Sequence, residues 1–570
     1  MQGRDYVQIL EREISELRLM RIPHQLAVRV AGLGRSPNVL EWRPEPPERG
    51  DAAAARRLAG GVWLLEGRLA EANGANPWDI PAPDTVWAAA LHGQAWLDDV
   101  HAADTPKIWG LASDHVRDWL DRFGRGSGPG WAPDTVARRT VRWIAYSTRL
   151  LKSRDAAYSQ AFFKALGRQH RFLELQWQET AHGLPRIEAL TGLIYAQLSL
   201  RGADGQSKTL VQNLGTLASQ IVHSDGTILS RNPEELVRII SLLIWSRDLI
   251  LSAGIDAAPG HVRAIRAGRD TIKALSYLNG DLPRYHGGRA AAPHPMITDN
   301  RPAMPGSTPR LAMGFVRVTA GAADLVMDGA NAPDGQWKNT AHSSALALEF
   351  RHGGQPLFGS TGSGQSFGPA HAVASRRAEA HSTIELDGRG AGQLTSSKGV
   401  DAASAILTIG GPVTTRIDAD DDGAWVIGEC AHYMTRLGLR TERRLHLSAS
   451  GLKLSGEDTA LAPDARSRSK ISGLFPKNKS PCKMRSRFIL HPDVRAAHTL
   501  SGRGIGLTLP DGQVWVMRAD TKTLDLIPAV YFDETRPQPR ATTEIVAMTS
   551  ILEYWGRIVW SFEQLTDAAQ

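Results

Sequence analysis

A switch of hydrophobic period near residue 285 constrains this 570-residue chain more than any other feature. Before it, apolar residues recur at helical spacing. Asn232-Pro233-Glu234-Glu235 predicts a helix start, with a capping amide, a proline in the first turn and two acids facing the positive helix end. Leu236, Ile239, Ile240 and Leu243 follow on one face, and Gly254 offers a stop. Pro185 opens another helix carrying Ile187, Leu190, Ile194 and Leu198. Beyond about residue 310 the period is two. Leu507 to Leu509 and Val514 to Met517 flank Asp511-Gly512, which reads as a hairpin with a two-residue turn signal. Leu445 to Leu447 pairs in the same way with Leu452 to Leu454, and Leu346 to Phe350 with Pro356 to Phe358. Many short strands with regular turns predict an antiparallel sandwich. Pro- and Gly-containing residues between the two regimes read as a linker.

Ordinary charged and hydrophobic fractions, 22% and 42%, exclude a wholly disordered chain. The densest apolar run, Ile239 to Trp245, is cut by Arg238 and Arg247, so no membrane span is expected. The net charge of +7 comes mostly from arginine and suits an anionic partner. Charge alone leaves an acidic glycan and a nucleic acid open. No basic-helix signature supports the nucleic acid. Cys430 and Cys482 exclude a disulfide framework and leave either one bridge or two free thiols. Asp5, Glu11, Glu13 and Glu16 occupy the places of a signal peptide's basic and apolar regions, so export is not written in the N-terminus.

Nucleotide loops and zinc-protease helices are absent from the sequence. Gly359 to Gly364 lies among strands and reads as a turn. Eleven tryptophans punctuate the helical half. Packing between helices is the plain reading, and a sugar-stacking surface the sharper one. In the second half Ala341-His342-Ser343-Ser344 precedes one strand, and Arg376-Arg377-Ala378-Glu379-Ala380-His381-Ser382-Thr383 precedes another. Residues at neighbouring strand starts meet at about 5 Å per strand step, so His342, Arg376 and His381 are expected to form one cluster. An adjacent arginine would hold the imidazole neutral.

The ordered motifs Trp78-Asp79, Leu91-His92-Gly93-Gln94-Ala95-Trp96-Leu97, Gly130-Trp131-Ala132-Pro133 and Asp281-Leu282-Pro283-Arg284-Tyr285 carry a resemblance. So do Asp328-Gly329, Leu348-Glu349-Phe350, Ala380-His381-Ser382-Thr383, Gly456-Glu457-Asp458 and His491-Pro492-Asp493-Val494. Together they make the chain resemble heparinase II/III-like proteins, polysaccharide lyases of alphaproteobacterial type. The resemblance implies an α-helical toroid over 1–288, a linker over 289–309 and an antiparallel β-sandwich over 310–570. It also implies β-elimination at a uronic acid, in which a cation neutralises the carboxylate and a tyrosine or histidine takes the C5 proton. The chain departs from the pattern. Leu184 and Pro185 stand where an Asn or Asn-His pair is usual, Glu235 where a tyrosine is usual, Thr340 for the first histidine of a His-x-His pair and Ser360 for a metal-binding aspartate.

On this reading the catalytic candidates are His342, Arg376, His381, Tyr285 and Tyr433. The substrate-binding candidates are Trp96, Trp131, Arg186 and Arg377. No cofactor is required, and a metal at His342 and His381 would lack its carboxylate. The partner is an acidic polysaccharide, with no nucleic acid. The resemblance implies the cell envelope or periplasm, and the N-terminus the cytoplasm. The rival reading is a glycan-binding protein that has lost catalysis on the same scaffold.

Overall fold

The computed structural model describes residues 24–565 except 34–36, 38, 42–43, 45–49, 153, 202–206, 290–309, 396–404, 477–479 and 500–503. The expected linker, apart from Arg289, and the N-terminal segment read above for export lie outside the described residues. Contacts gather the chain into two compact units. One holds the residues up to 220 with 242–263, and the other holds 221–241 with the residues from 264 onward.

The first unit is mainly helical. Helices Pro133–Ala145, Ala156–Gln176 and Leu184–Ser199 pack on one another. Asp155 caps the second by accepting the Tyr158 N–H at 2.6 Å. The first and third approach closely because Gly192 has no side chain. A Cβ there would lie 2.5 Å from the Cβ of Ala137. Buried tryptophans, Trp87, Trp119, Trp131 and Trp143 among them, fill the space between helices. Trp119 and Trp143 meet edge to face at 5.5 Å, and Trp143 stacks on Phe162 at 4.9 Å. Arg139 is wholly buried among them, with its guanidinium 4.0 Å from the Trp119 ring centroid. It donates to His92 O, Gly130 O and Gln169 Oε1, and burial pushes its pKa down to about 9.

The second unit is built on two antiparallel sheets. One runs Thr523–Tyr531, Arg540–Ser550, Lys483–Leu490, Gln355–Gly359, Leu348–His352, Ala323–Asp328, Phe315–Ala320, Arg310–Ala312, with Ile384–Leu386 also paired to Lys483–Leu490. The other runs Val413–Asp420, Gly423–Cys430, Arg440–Ser448, Lys453–Leu461, Trp555–Gln564, Val514–Ala519, Gly504–Thr508, Arg495–His498. Their inward side chains, among them Leu325, Phe350, Leu445, Phe488, Trp515 and Phe562, make a single core. The expected hairpins form, with Leu447 opposite Leu454 and Phe350 opposite Phe358. The turn at Asp511-Gly512 is longer than two residues. Leu509 N–H donates to Gln513 O across Pro510, Asp511 and Gly512, and Gly512 takes a positive φ of 91°. Asp511 sustains this turn by accepting the Gln513 N–H at 3.0 Å.

One buried ion pair crosses this core. Arg443 donates two parallel bonds to Asp458, each 2.6 Å, and two more to Leu346 O and Ser382 O at 2.8 and 2.9 Å. Asp458 is completed by Ser486 Oγ and Trp560 Nε1. The pair thus joins one sheet to two chain segments beside the other. Glu349, on the interior strand Leu348–His352, does a similar job, accepting Tyr277 OH at 2.7 Å and the Arg284 N–H at 2.8 Å. That bond lays residues 277–286 along the sheet. Helix Pro233–Ser252 begins as expected, with Asn232 Oδ1 accepting the N–H groups of Glu234 and Glu235. Among the described residues no helix is long and apolar enough to cross a membrane. Cys430 and Cys482 are buried free thiols, each raised to about 12 by burial.

Candidate functional site

His342 and His381 meet, as their positions before two strands imply. His342 Nδ1 lies 3.3 Å from His381 Nε2, and His381 Nδ1 lies 2.9 Å from Ser360 Oγ. Arg376 is part of the same assembly, as a strut. Its Nε donates to Ala341 O at 3.0 Å and its Nη2 to Lys338 O at 2.8 Å, so it fixes the loop that carries His342. Burial lowers its pKa to about 10. Tyr285 stacks over His381 with ring centroids 6.4 Å apart.

Three residues not anticipated from sequence extend the cluster. The His342 main-chain N–H donates to His286 Nδ1 at 3.2 Å. His286 Nε2 lies 3.5 Å from Asp328 Oδ2. Asp328 also accepts Arg231 Nη2 at 2.5 Å and Ser344 Oγ at 2.7 Å. The Arg231 guanidinium and these donors hold its carboxyl well below the usual carboxylate range, against the opposing effect of burial. A signal was present in the sequence. Asp328 follows the apolar run Leu325-Val326-Met327, and a carboxylate there needs a cation from elsewhere.

The cluster is sealed. His342, His381 and His286 are 2%, 0% and 1% exposed. Burial drives all three imidazoles below their ordinary pKa, His381 to about 3. The neutral histidine expected beside an arginine is therefore present, but its main cause is desolvation. Neighbouring histidines come next, and Arg376 contributes least. The phenols are committed as well. Tyr285 OH donates to Ala347 O at 3.0 Å, and Tyr433 OH to Ile384 O at 3.0 Å with Arg389 O also in reach. Neither hydroxyl faces a space in which a leaving group could stand. Among the described residues, no group of three or more His, Cys, Asp or Glu side chains is placed to hold a metal ion.

The remaining candidates lie apart from this cluster in role. Trp96 and Trp131 are 2% and 4% exposed, and their indole N–H groups donate to Leu91 O and Phe123 O. They are core residues and offer no sugar-stacking face. Arg186 donates from Nε and Nη2 to Thr180 O, closing the turn ahead of helix Leu184–Ser199. Arg377 points outward and is exposed.

Residues 305–561 match the family model described as Heparinase II/III-like, C-terminal. The helical unit followed by paired antiparallel sheets is the fold of heparinase III. The family match thus covers the region of the paired sheets, and the likeness of the whole chain to heparinase III is one of fold. Among solved structures the chain is similar to Heparinase III, with a TM-score of 0.66 at 11% identity, covering 95% of this chain and 89% of that one. It is also similar to a mutant of heparan sulfate lyase HepC from Pedobacter heparinus, with a TM-score of 0.59 at 13% identity, covering 96% and 90%. A curated relative, FtsZ-localized protein C of Caulobacter vibrioides, is 26% identical over 521 residues, 90% of this chain and 87% of the relative.

Proposed function

We propose that this chain binds an acidic polysaccharide on a lyase scaffold and does not perform β-elimination with the His342–His381 set. The observation that carries this reading is the sealing of that set. A base must reach the C5 proton of its substrate within hydrogen-bond distance. His342 and His381 face each other, Ser360 and the main chain instead of an open cleft. The net positive charge favours an anionic polymer over a neutral one.

The test is to mix the protein with heparosan, chondroitin, hyaluronan and alginate, following ultraviolet absorbance of an unsaturated uronate and, in parallel, binding by calorimetry. The expected result is binding to at least one polymer with no growth in absorbance. His342→Ala should lower unfolding free energy by about 1–3 kcal/mol, because it removes the hydrogen-bond partner of a buried imidazole. Absorbance that rises with the wild-type protein and is lost in His342→Ala would overturn the reading.

The curated relative motivates a statement about place. It is FtsZ-localized, and we infer that this chain also gathers with FtsZ. A fluorescent fusion imaged beside labelled FtsZ should form coincident bands, and diffuse or uniformly peripheral signal would remove this inference.

A further inference from the structure

Single apolar side chains left in water need no explanation, whereas a contiguous group of them marks a contact surface. Such a group stands on the hairpin that joins strands Arg540–Ser550 and Trp555–Gln564. Leu552 and Trp555 face each other across it, each donating its N–H to the other's carbonyl, at 2.9 and 3.0 Å. They are 64% and 51% exposed, and Tyr554 at the tip is 40% exposed. Helix Ala465–Leu474 stands beside the tip. Ser472 Oγ donates to Tyr554 OH at 3.4 Å, and the Arg468 guanidinium lies 5.8 Å from the Tyr554 ring centroid. The helix ends on Leu474, which is 47% exposed.

The turn carries these side chains at a conformational cost. Only Glu553 and Tyr554 connect Leu552 to Trp555, and both take left-handed backbone, with φ of 47° and 77°. A two-residue hairpin loop of that kind favours Asn-Gly, because a side chain at positive φ crowds the following carbonyl. A tyrosine there is strained, and such strain collects at surfaces that have a use.

The charges around the patch indicate what it fits. Arg557, two residues beyond Trp555, is taken up by Glu457 at 2.9 Å. Glu553 and Arg468 are both exposed, and among the described residues neither has an ion-pair partner. An acid and a base left over on one apolar patch complement the same patch turned through a half-rotation, where the acid of each copy meets the base of the other. A lipid surface or an acidic polymer would be served by bases alone, and Glu553 at the tip would repel it.

We propose that this patch is the contact of a two-fold dimer of this chain. Leu474, Leu552, Tyr554 and Trp555 of each copy cover those of the other, and Glu553 of each copy faces Arg468 of the other. The proposal goes beyond the glycan-binding reading and does not depend on it. Few side chains take part, so the contact lies at the small end of specific interfaces and the dimer is reversible.

Sedimentation equilibrium of the full chain from about 1 to 300 μM should show a monomer passing to a dimer, in the affinity range of a small interface. Glu553→Arg and Arg468→Glu should each raise the dimer dissociation constant about tenfold or more, because like charges then meet twice across the axis. An equimolar mixture of the two variants should restore association, since each then carries the charge that the other lacks. Both side chains are exposed, so neither change disturbs the fold, and circular dichroism checks this. Glu553→Asn combined with Tyr554→Gly gives the turn the sequence it prefers. That variant should raise the melting temperature while weakening the dimer. Restoration by the mixture supports the proposal, because no merely destabilising change would produce it. A wild-type chain that stays monomeric up to about 300 μM overturns it, and so does a dimer that neither charge reversal weakens. A monomer that binds phosphatidylglycerol vesicles, with binding lost in Trp555→Ser, overturns it in favour of a lipid surface.

Discussion

Asp458→Ala should lower unfolding free energy by about 3–5 kcal/mol, the usual cost of stranding one member of a buried ion pair. The reason lies in the exposures of its partners. Arg443 and Asp458 side chains are both 0% exposed, so solvent cannot replace the missing carboxylate. Three donors lose their acceptor together, namely the Arg443 fork, Ser486 Oγ and Trp560 Nε1. Denaturant melts of the two proteins at neutral pH measure the difference. Replacing both members with apolar residues, as in an Arg443→Met and Asp458→Leu double variant, should recover only part of it. Leu346 O and Ser382 O would still lose the guanidinium that satisfies them. A double variant as stable as the wild type would show that those carbonyls find other donors at no cost.

Acid should unfold this protein early, before most of its carboxylates titrate, with Asp99, raised to about 6 by burial, offsetting about one of the histidines below. Burial drives the imidazoles of His92 and His381 to about 3 and those of His261, His432 and His491 to about 4, with His342 also well below its ordinary value. In the unfolded chain each takes a proton below about pH 6.5. The folded chain refuses those protons until the pH nears the depressed values. Across that window the unfolded state binds more protons, so stability falls as pH falls, by about 1.4 kcal/mol per pH unit for each such group. Asp328 has the opposite origin but the same sign. Its depressed carboxyl stabilises the fold above the unfolded value near 3.9, and that contribution is lost only at more acid pH. Urea midpoints at about pH 7.5, 6 and 5 should drop steeply through the last interval. Midpoints that stay level down to pH 5 would show that these histidines accept protons in the folded state.

The broad order of the fold was legible because periods of 3.6 and 2 leave different marks on a sequence, and the mark changes near residue 285. Hairpin registers were legible where a turn residue had a mechanism, as with Leu447 and Leu454 either side of a short Ser- and Gly-containing loop. The meeting of His342 with His381 was legible because each stands just before a strand. Their depth was not. It depends on His286, Asp328 and Arg231, which come from three other segments and close over the pair. Tryptophans mark a core or a sugar platform equally well in a one-dimensional reading. Only the neighbours of Trp96 and Trp131 show that both are core.

The row formed by Ser360, His381 and His342 has a polarity. A neutral imidazole carries one proton, so it gives at one nitrogen and receives at the other. If Ser360 gives to His381 Nδ1, then His381 gives from Nε2 to His342 Nδ1. If His342 gives instead, His381 receives at Nε2 and passes its own proton toward Ser360. No heavy atom moves between the two arrangements, and no third order keeps both bonds. A serine standing where an aspartate would be expected makes this possible, because a hydroxyl can take either role and an ionised carboxylate only one. What the scaffold has here is a small reversible chain of protons, in which the sense of the bond at one end dictates the sense at the other.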